Sequence, residues 1–237
     1  MEQSLSRQFF QCKRTTVLES DSPTTSHSNL APPVNPNVYT DGGVKSPTNH
    51  LWALGSFGVT WPGRNLEVEP LSSSENDFAF TQAGPNGLDL WGPIPGHRCS
   101  STRAELVGGV TALLAPGPIH IGVDSQAFLD RARQVLQQVT MSQADPFSRW
   151  LPRPWQIIRD GDLWQIFFNL AVAKGVDAIA LTKVKGCATA ADIADGASAI
   201  LDKLHNDRAD ALTHRRAKSN VVGLVYLSHL LARQERA

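Results

Sequence analysis

Four acidic side chains stand at positions where they could act together on divalent metal ions. Asp41 follows the strand-like run "NVYT", and Asp124 ends a second run, "IHIGV". Glu105 lies early in a predicted helix, and Asp210 lies in a late one, within "HNDRAD". Carboxylates held close together repel one another unless cations neutralise them, and Mg²⁺ prefers such oxygen ligands. Two such ions about 3.5–4 Å apart can cleave phosphodiesters, one activating water and the other stabilising the leaving oxygen.

Each acid also has an ordinary structural interpretation when it is considered alone. Asp41 precedes two glycines, and aspartate before glycine commonly occupies a turn. Glu105 could complement the dipole of its helix, and Asp124 with Ser125 could cap the helix that follows. The functional interpretation therefore depends on the acids meeting in the folded chain.

The first elements of the organised region are three predicted strands, within "NVYTDGGV", "WALGSFGVTW" and "LDLWGPIPG". The first of them is predicted to run into a glycine turn. Residues 62–90 are polar and rich in Gly and Pro, which predicts an irregular excursion. Consecutive strands indicate an antiparallel meander.

Helices and strands then alternate. The helix "SSTRAELVGGVTALLA" is predicted to be capped by Ser101 or Thr102, and it precedes the strand "IHIGVDS". Strands separated by helices indicate parallel additions to the same sheet. If the first and fourth strands are neighbours, Asp41 and Asp124 lie side by side, and a helix packed across them brings Glu105 to the same point.

The chain length of 237 residues predicts one domain with a full core. Residues 1–37 are rich in Ser, Thr, Pro and Asn and have no hydrophobic period, which predicts a disordered linker or tail. The domain is predicted over residues 38–237, with a core at 38–217 and an apolar C-terminal helix at about 220–235.

Composition excludes several classes of protein. The 22 Lys and Arg residues balance 22 Asp and Glu residues, so binding to nucleic acid would need a local basic patch. Three cysteines without a CxxC pair argue against a disulfide framework and a structural zinc site. No secretory signal is visible, and the longest apolar run is too short to cross a bilayer. These features predict an intracellular protein, cytoplasmic or nuclear, with no membrane partner.

The segment "RWLPRPW" has two interpretations. Arg149, Trp150, Arg153 and Trp155 could form the local phosphate-binding patch that the composition requires. The segment could equally be a proline-rich connector whose tryptophan packs into the core.

Six short motifs occur in one order along residues 38–217: "YTDGG", "STRAELVG", "IHIGVDSQ", "GDLWQ", "KVKG" and "NDRAD". With these motifs the sequence resembles a type-1 ribonuclease H domain, including those attached to the reverse transcriptases of retroelements. The resemblance implies an α/β fold with a five-stranded mixed sheet, three antiparallel strands followed by two parallel ones, and helices on both faces. It also implies cleavage of the RNA strand of RNA/DNA hybrids with Mg²⁺ or Mn²⁺.

The family's four metal-binding acids correspond to Asp41, Glu105, Asp124 and Asp210. Asp207 is the alternative fourth acid. It is disfavoured because the family motif places the metal ligand at the end of the run "NDRAD", which is Asp210.

The substrate contacts of the family correspond to a second set of residues, which would read the 2′-hydroxyls of RNA. These are Ser101, Thr102, Arg103, Gln126 and Asn206. The family often has asparagines at the first two of these positions, where this chain keeps hydrogen-bonding hydroxyls. Trp164, in "GDLWQ", is most simply a core residue.

One position departs from the family pattern. After "VKG" the family often carries a histidine on a mobile loop, and this chain has Cys187 there. A neutral thiol is a poor substitute for imidazole, so reduced turnover is expected. His205 could partly stand in, or it could be an exposed histidine at a helix start.

Three functions stay open at this point. The chain could be a hybrid-cleaving ribonuclease H, either free-standing or joined through its first 37 residues to an upstream reverse transcriptase domain. It could be a nuclease or integrase-type enzyme of the same fold that acts on DNA. It could also be a degenerate domain that binds nucleic acid without cleaving it, although four retained acids disfavour a pure phosphate-binding surface.

Overall fold

The computed structural model describes residues 31–45, 53–85, 87–94, 99–144 and 154–215. Its strands are β1 Val38–Lys45, β2 Leu54–Trp61, β3 Phe80–Gly84, β4 Gly87–Pro93, β5 Ile119–Val123 and β6 Ile179–Lys183. Its helices are α1 Ser73–Phe78, α2 Ser101–Leu113, α3 Gln126–Ala144, α4 Gly161–Lys174, α5 Ala190–Ala194 and α6, which is helical over residues 200–215. Two single 3-10 turns lie at Trp155–Ile157 and Val176–Ala178.

The strands form one mixed sheet in the order β3-β4-β2-β1-β5-β6. β1, β2, β4 and β3 pair antiparallel, whereas β5 and β6 extend the sheet in parallel from β1. The predicted α/β fold with antiparallel and then parallel strands is confirmed. The sheet has six strands and not the predicted five, because β3 adds an outer strand.

The extra strand corrects the interpretation of residues 62–90 as irregular. Within them the chain forms α1 and β3 and begins β4. The side chains of β3 are all exposed, so its sequence "FTQAG" carries no alternation of apolar and polar residues that would predict a strand. Pairing with β4 stabilises it instead.

The two faces of the sheet differ in character. One face is apolar and packs against α2 and α3, and α4 packs on these two helices; the face includes Val38, Phe57, Val59, Leu88 and Leu90. On the other face, α6 crosses a row of mainly polar residues. The main-chain oxygen of Thr213 in α6 accepts a hydrogen bond from the Ser56 hydroxyl at 2.8 Å, and the Thr213 hydroxyl donates to Asp41 Oδ2 at 3.5 Å. The predicted placement of helices on both faces is therefore confirmed.

Glycines allow helices to approach the sheet closely from both sides. Gly42 and Gly43 do not form the predicted turn, since both pair with β2 inside β1. A Cβ at Gly42 would lie 2.2 Å from the Glu105 main-chain nitrogen, and one at Gly58 would lie 2.3 Å from the Ala209 carbonyl oxygen. Only glycine fits where α2 and α6 contact these strands.

Gly42→Ala should therefore destabilise the protein by about 2–3 kcal/mol, because the new methyl group meets backbone atoms that cannot rotate away. The free energy of unfolding in urea measures this effect. Gly84→Ala is the matched control, since a Cβ at this strand glycine would meet nothing within 4 Å. Equal stability of the two variants would contradict the close approach of α2 to β1.

Several local predictions have clear outcomes. Ser100, and not Ser101 or Thr102, caps α2, because its hydroxyl accepts a hydrogen bond from the Arg103 main-chain N–H at 3.1 Å. Trp164 is buried and stacks against Phe128, which confirms its core position.

The chain contacts the sheet slightly before the predicted domain start at residue 38. The Asn37 side chain accepts a hydrogen bond from the main-chain N–H of His120 at 2.8 Å, and the Pro33 carbonyl lies 2.8 Å from the His120 ring. Residues 1–30 of the predicted linker and the predicted helix at about 220–235 lie outside the described residues. No helix within the described ranges combines the length and the apolar character that crossing a bilayer requires.

Candidate metal site

Three of the four predicted acids meet where β1 and β5 separate. The parallel pairing ends at Thr40 in β1 and Val123 in β5. Asp41 and Asp124 are the residues that follow these two in the sequence. One oxygen from each of Asp41, Asp124 and Glu105 lies within 4.8 Å of the other two. The cluster combines a residue inside β1, the residue that follows β5 and one residue of α2, so the predicted meeting of these three acids is observed.

Glu105 reaches the cluster from the opposite face of β1. The close contact of α2 with Gly42 brings its backbone against the strand, and the carboxylates of Glu105 and Asp41 both accept a hydrogen bond from the Gly42 N–H. The second oxygen, Glu105 Oε2, is buried and has no hydrogen-bond partner in the protein. An unpaired buried carboxylate oxygen is costly, and a hard cation would satisfy it.

Asp210 stands at the open side of this cluster. The Asp210 side chain forms a hydrogen bond with that of Asp41. On its other side, Asp210 Oδ1 lies 3.3 Å from Nε2 of His214. Asp207 instead forms an exposed ion pair with Lys203 one turn earlier in α6. The geometry thus places Asp210, and not Asp207, next to the three clustered acids.

Burial and the charges of neighbouring acids raise the pKa values of Asp41 and Glu105 when no metal is bound. Burial, and then the charges of Asp124 and Asp210, raise the pKa of Asp41 to about 7. Burial, followed by the charges of Asp41 and Asp124, raises the pKa of Glu105 to about 9, against a smaller opposing effect of Lys183. Divalent cations would have to displace these protons, so their binding should strengthen as the pH rises.

The raised pKa values also predict how stability depends on pH. Both carboxyls bind protons more tightly in the folded protein than at their ordinary pKa values of 3.8 and 4.5, so unfolding becomes easier as the pH rises above these values. Glu105→Gln should raise the unfolding free energy of the metal-free protein by about 1–2 kcal/mol near pH 8, with little effect near pH 4. Thermal unfolding in EDTA at both pH values measures this difference.

Asp207→Asn is the control for that experiment, because Asp207 is exposed and pairs only with Lys203 among the described residues. Its effect should stay within about 0.5 kcal/mol at either pH. A Glu105→Gln variant that is less stable than the parent near pH 8 would contradict the repulsion between the clustered acids.

Two further side chains surround Asp124. Asn206 is buried, and its Nδ2 donates a hydrogen bond to Asp124 Oδ2 at 3.3 Å. Lys183 Nζ donates to the main-chain oxygen of Asp124 at 2.6 Å, and Gly186 packs directly against the carboxylate. Lys183 was not among the predicted site residues, although its position in the "KVKG" motif marks it in retrospect.

The predicted substrate contacts lie around α2 and α3. Ser101 is exposed and Thr102 is half-buried at the start of α2, and Gln126 is exposed at the start of α3, where it donates to Asp130 at 2.7 Å. Arg103 is buried, and its guanidinium binds the carboxylates of two residues at the start of α4, Asp160 and Asp162. In this position Arg103 joins α2 to α4.

The positions related to the family histidine are also resolved. Cys187 is exposed and has a positive φ of 50°. His205 is not an exposed helix-start residue: it lies in the second turn of α6, half-buried, with its ring 5.2 Å from that of Tyr39. Burial lowers the pKa of His205, Arg208 lowers it further, and Asp202 opposes them.

The "RWLPRPW" segment is described only at its end. Arg149, Trp150 and Arg153 lie outside the described residues. Trp155 is half-buried with its ring 5.9 Å from that of Phe168, as the connector interpretation expects.

No protein-family model and no curated protein matches this sequence. Solved structures do match. A foamy viral protease-reverse transcriptase in complex with RNA/DNA hybrid has 14% identity and a TM-score of 0.43 over 85% of this chain, which spans 23% of the viral chain. The RNase H domain of PFV has 18% identity and a TM-score of 0.44, covering 75% of this chain and 91% of that domain. A type 1 RNase H with the type 2 active-site motif has 16% identity and a TM-score of 0.45, covering 77% and 71%.

Proposed function

We propose that the chain cleaves the RNA strand of RNA/DNA hybrids by metal-dependent hydrolysis of phosphodiesters. The observation that carries this proposal is the cluster of Asp41, Glu105 and Asp124, whose ligand oxygens lie within 4.8 Å of one another. The preference for a hybrid rests on the six ribonuclease H motifs, which span residues 38–217 in the order of that family.

The residues present fit two Mg²⁺ or Mn²⁺ ions. All the donors are oxygens, and the unpaired Glu105 Oε2 favours a hard cation. Asp41, Glu105, Asp124 and Asp210 would hold the ions, with Asp210 as the ligand nearest to solvent. When bound, such ions lower the pKa of attacking water and stabilise the leaving oxygen.

The chain's own contribution is to hold these carboxylates in place. The Gly42 N–H orients the carboxylates of Asp41 and Glu105, and Asn206 orients that of Asp124. The burial of Asp41 and Glu105 excludes water from one side of the cluster, where electrostatic interactions are therefore stronger.

The partners follow from the same proposal. Ser101, Thr102 and Gln126 would contact the hybrid from the starts of α2 and α3. An upstream reverse transcriptase domain would be joined through residues 1–37, whose last members contact β5.

The experiment that tests the proposal is gel-resolved cleavage of a labelled blunt RNA/DNA hybrid with Mg²⁺ or Mn²⁺. Cleavage of the RNA strand alone, abolished by EDTA, is the expected result. Single-stranded RNA, duplex RNA and duplex DNA are the comparison substrates. Cleavage of duplex DNA at an equal rate would favour the integrase-type alternative, and folded protein without activity on any substrate would favour a degenerate domain.

A further inference from the structure

An aromatic and basic surface lies on the outer strands of the sheet. Phe80 of β3 stacks against Trp91 of β4 with 6.2 Å between ring centroids, and Phe80 remains 48% exposed. The Arg215 guanidinium lies 4.7 Å from the centroid of the Trp91 ring and donates to Gln82 Oε1 at 3.0 Å. We call Phe80, Gln82, Trp91 and Arg215 the Phe80 platform.

The Phe80 platform is on the same face of the sheet as the acidic cluster. Asp41 pairs with Gly58, Gly58 with Trp91, and Trp91 with Phe80, in one row across four strands. Paired residues in adjacent strands project their side chains to the same face. At about 4.8 Å per strand, Phe80 therefore lies about 14 Å from Asp41 along the sheet.

Helix α6 lies between the acidic cluster and the platform. Asn206 and Asp210 extend towards the acids, whereas Arg208 binds Asp89 of β4 at 2.8 Å and Arg215 lies over Trp91. The exposed Ala211 and His214 form the surface between these two sides. A strand leaving the acids would cross this short helical surface before it met an aromatic ring.

We propose that the Phe80 platform binds single-stranded nucleic acid that extends from the hybrid at the acidic cluster. An exposed aromatic ring can stack only on a base that is not already stacked in a duplex, which selects a single strand over the hybrid itself. Arg215, which is exposed at the edge of this platform, complements the phosphates of that strand. The inference rests on the proposed function, which places the hybrid at the acidic cluster. The affinity of the platform for a single strand can be measured without cleavage.

The test is fluorescence anisotropy of a labelled oligodeoxythymidine of about 15 nucleotides, titrated with the full chain in EDTA. Phe80→Ala should weaken binding about tenfold, because it removes one base-stacking surface. Phe80→Leu, which keeps an apolar side chain and serves if the alanine variant fails to fold, should weaken it similarly. Arg215→Gln should reduce the slope of log affinity against log salt by about one.

Two control variants isolate the platform. Met141→Ala removes an apolar side chain of nearly equal exposure, 47%, from α3 on the other side of the sheet. Thr81→Ala changes the neighbouring exposed residue of β3, which projects to the opposite face. Both should bind like the parent.

The proposal would be overturned if the oligonucleotide did not bind, or if Phe80→Ala and Met141→Ala bound it equally. Either result would favour a protein partner for this surface. The proposed function would stand in that case, because the blunt hybrid used to test it has no single-stranded extension. Conversely, binding in EDTA by a protein that cleaves nothing would support the platform while the proposed function failed.

Discussion

Asp41→Asn is expected to slow cleavage of the hybrid by about a hundredfold to a thousandfold. The carboxylate lies at the centre of the cluster, where it accepts the Gly42 N–H and shares its surroundings with three other acids. An amide in its place is a weaker ligand for a hard cation and brings no negative charge. The loss is measured from initial cleavage rates of the parent and the variant on the hybrid, each over a range of metal concentrations.

The same variant should remain folded, which separates a loss of catalysis from a loss of structure. Burial first, and then repulsion by Asp124 and Asp210, raises the pKa of Asp41, and a neutral asparagine avoids both costs. The metal-free variant should therefore be no less stable than the parent near pH 8. The rise in melting temperature that Mg²⁺ or Mn²⁺ produces should shrink, because fewer ligands hold the ions.

The run "NDRAD" offers a matched pair of controls. Asp210→Asn should also lower the rate, because Asp210 lies against Asp41. Asp207→Asn should change it by no more than about twofold, because Asp207 is exposed on the surface of α6, where it pairs with Lys203. Full activity of Asp41→Asn, or equal losses in the two α6 variants, would contradict the assignment of the metal ligands.

The meeting of the acids could be predicted because it depends on strand adjacency. A strand-like run marks β1, and alternation of residue types marks β2 and β5. The parallel pairing of β1 with β5 then places Asp41 and Asp124 side by side. The approach of Glu105 depends on Gly42, which belongs to a Gly-Gly pair whose sequence predicts a turn. Glycine in a strand-like run can indicate either a turn or a close approach of another element, and only the helix packed against it distinguishes the two.

Other features depend on contacts that no local pattern encodes. Arg103 stands in a motif that resembles a substrate-binding segment, yet two acids almost sixty positions later in the chain hold its guanidinium. β3 forms although its residues show no strand period, because β4 supplies the hydrogen-bonding edge. Long-range pairing of this kind overrides local preference.

A buried ion pair supports the segment that carries β3, and breaking it should have the largest effect on stability. Arg64 binds Glu75 through two contacts of 2.6 and 3.0 Å, and Glu75 Oε2 also accepts the Ser72 N–H that begins α1. The side chains of this pair are 2% and 0% exposed. Glu75→Gln should lower the unfolding free energy by about 3–5 kcal/mol, because it leaves the buried guanidinium charge with only the exposed Glu69 carboxylate nearby.

Glu69→Gln is the matched control for this prediction. Its carboxylate also lies near Arg64, at 3.8 Å, but its side chain is 55% exposed, so its loss should cost less than about 1 kcal/mol. Replacing both members of the buried pair, as Arg64→Met with Glu75→Leu, should recover part of the loss, since apolar side chains need no counter-charge. Urea unfolding of the three variants measures these differences. Similar losses for Glu75→Gln and Glu69→Gln would contradict the burial of the Arg64–Glu75 pair.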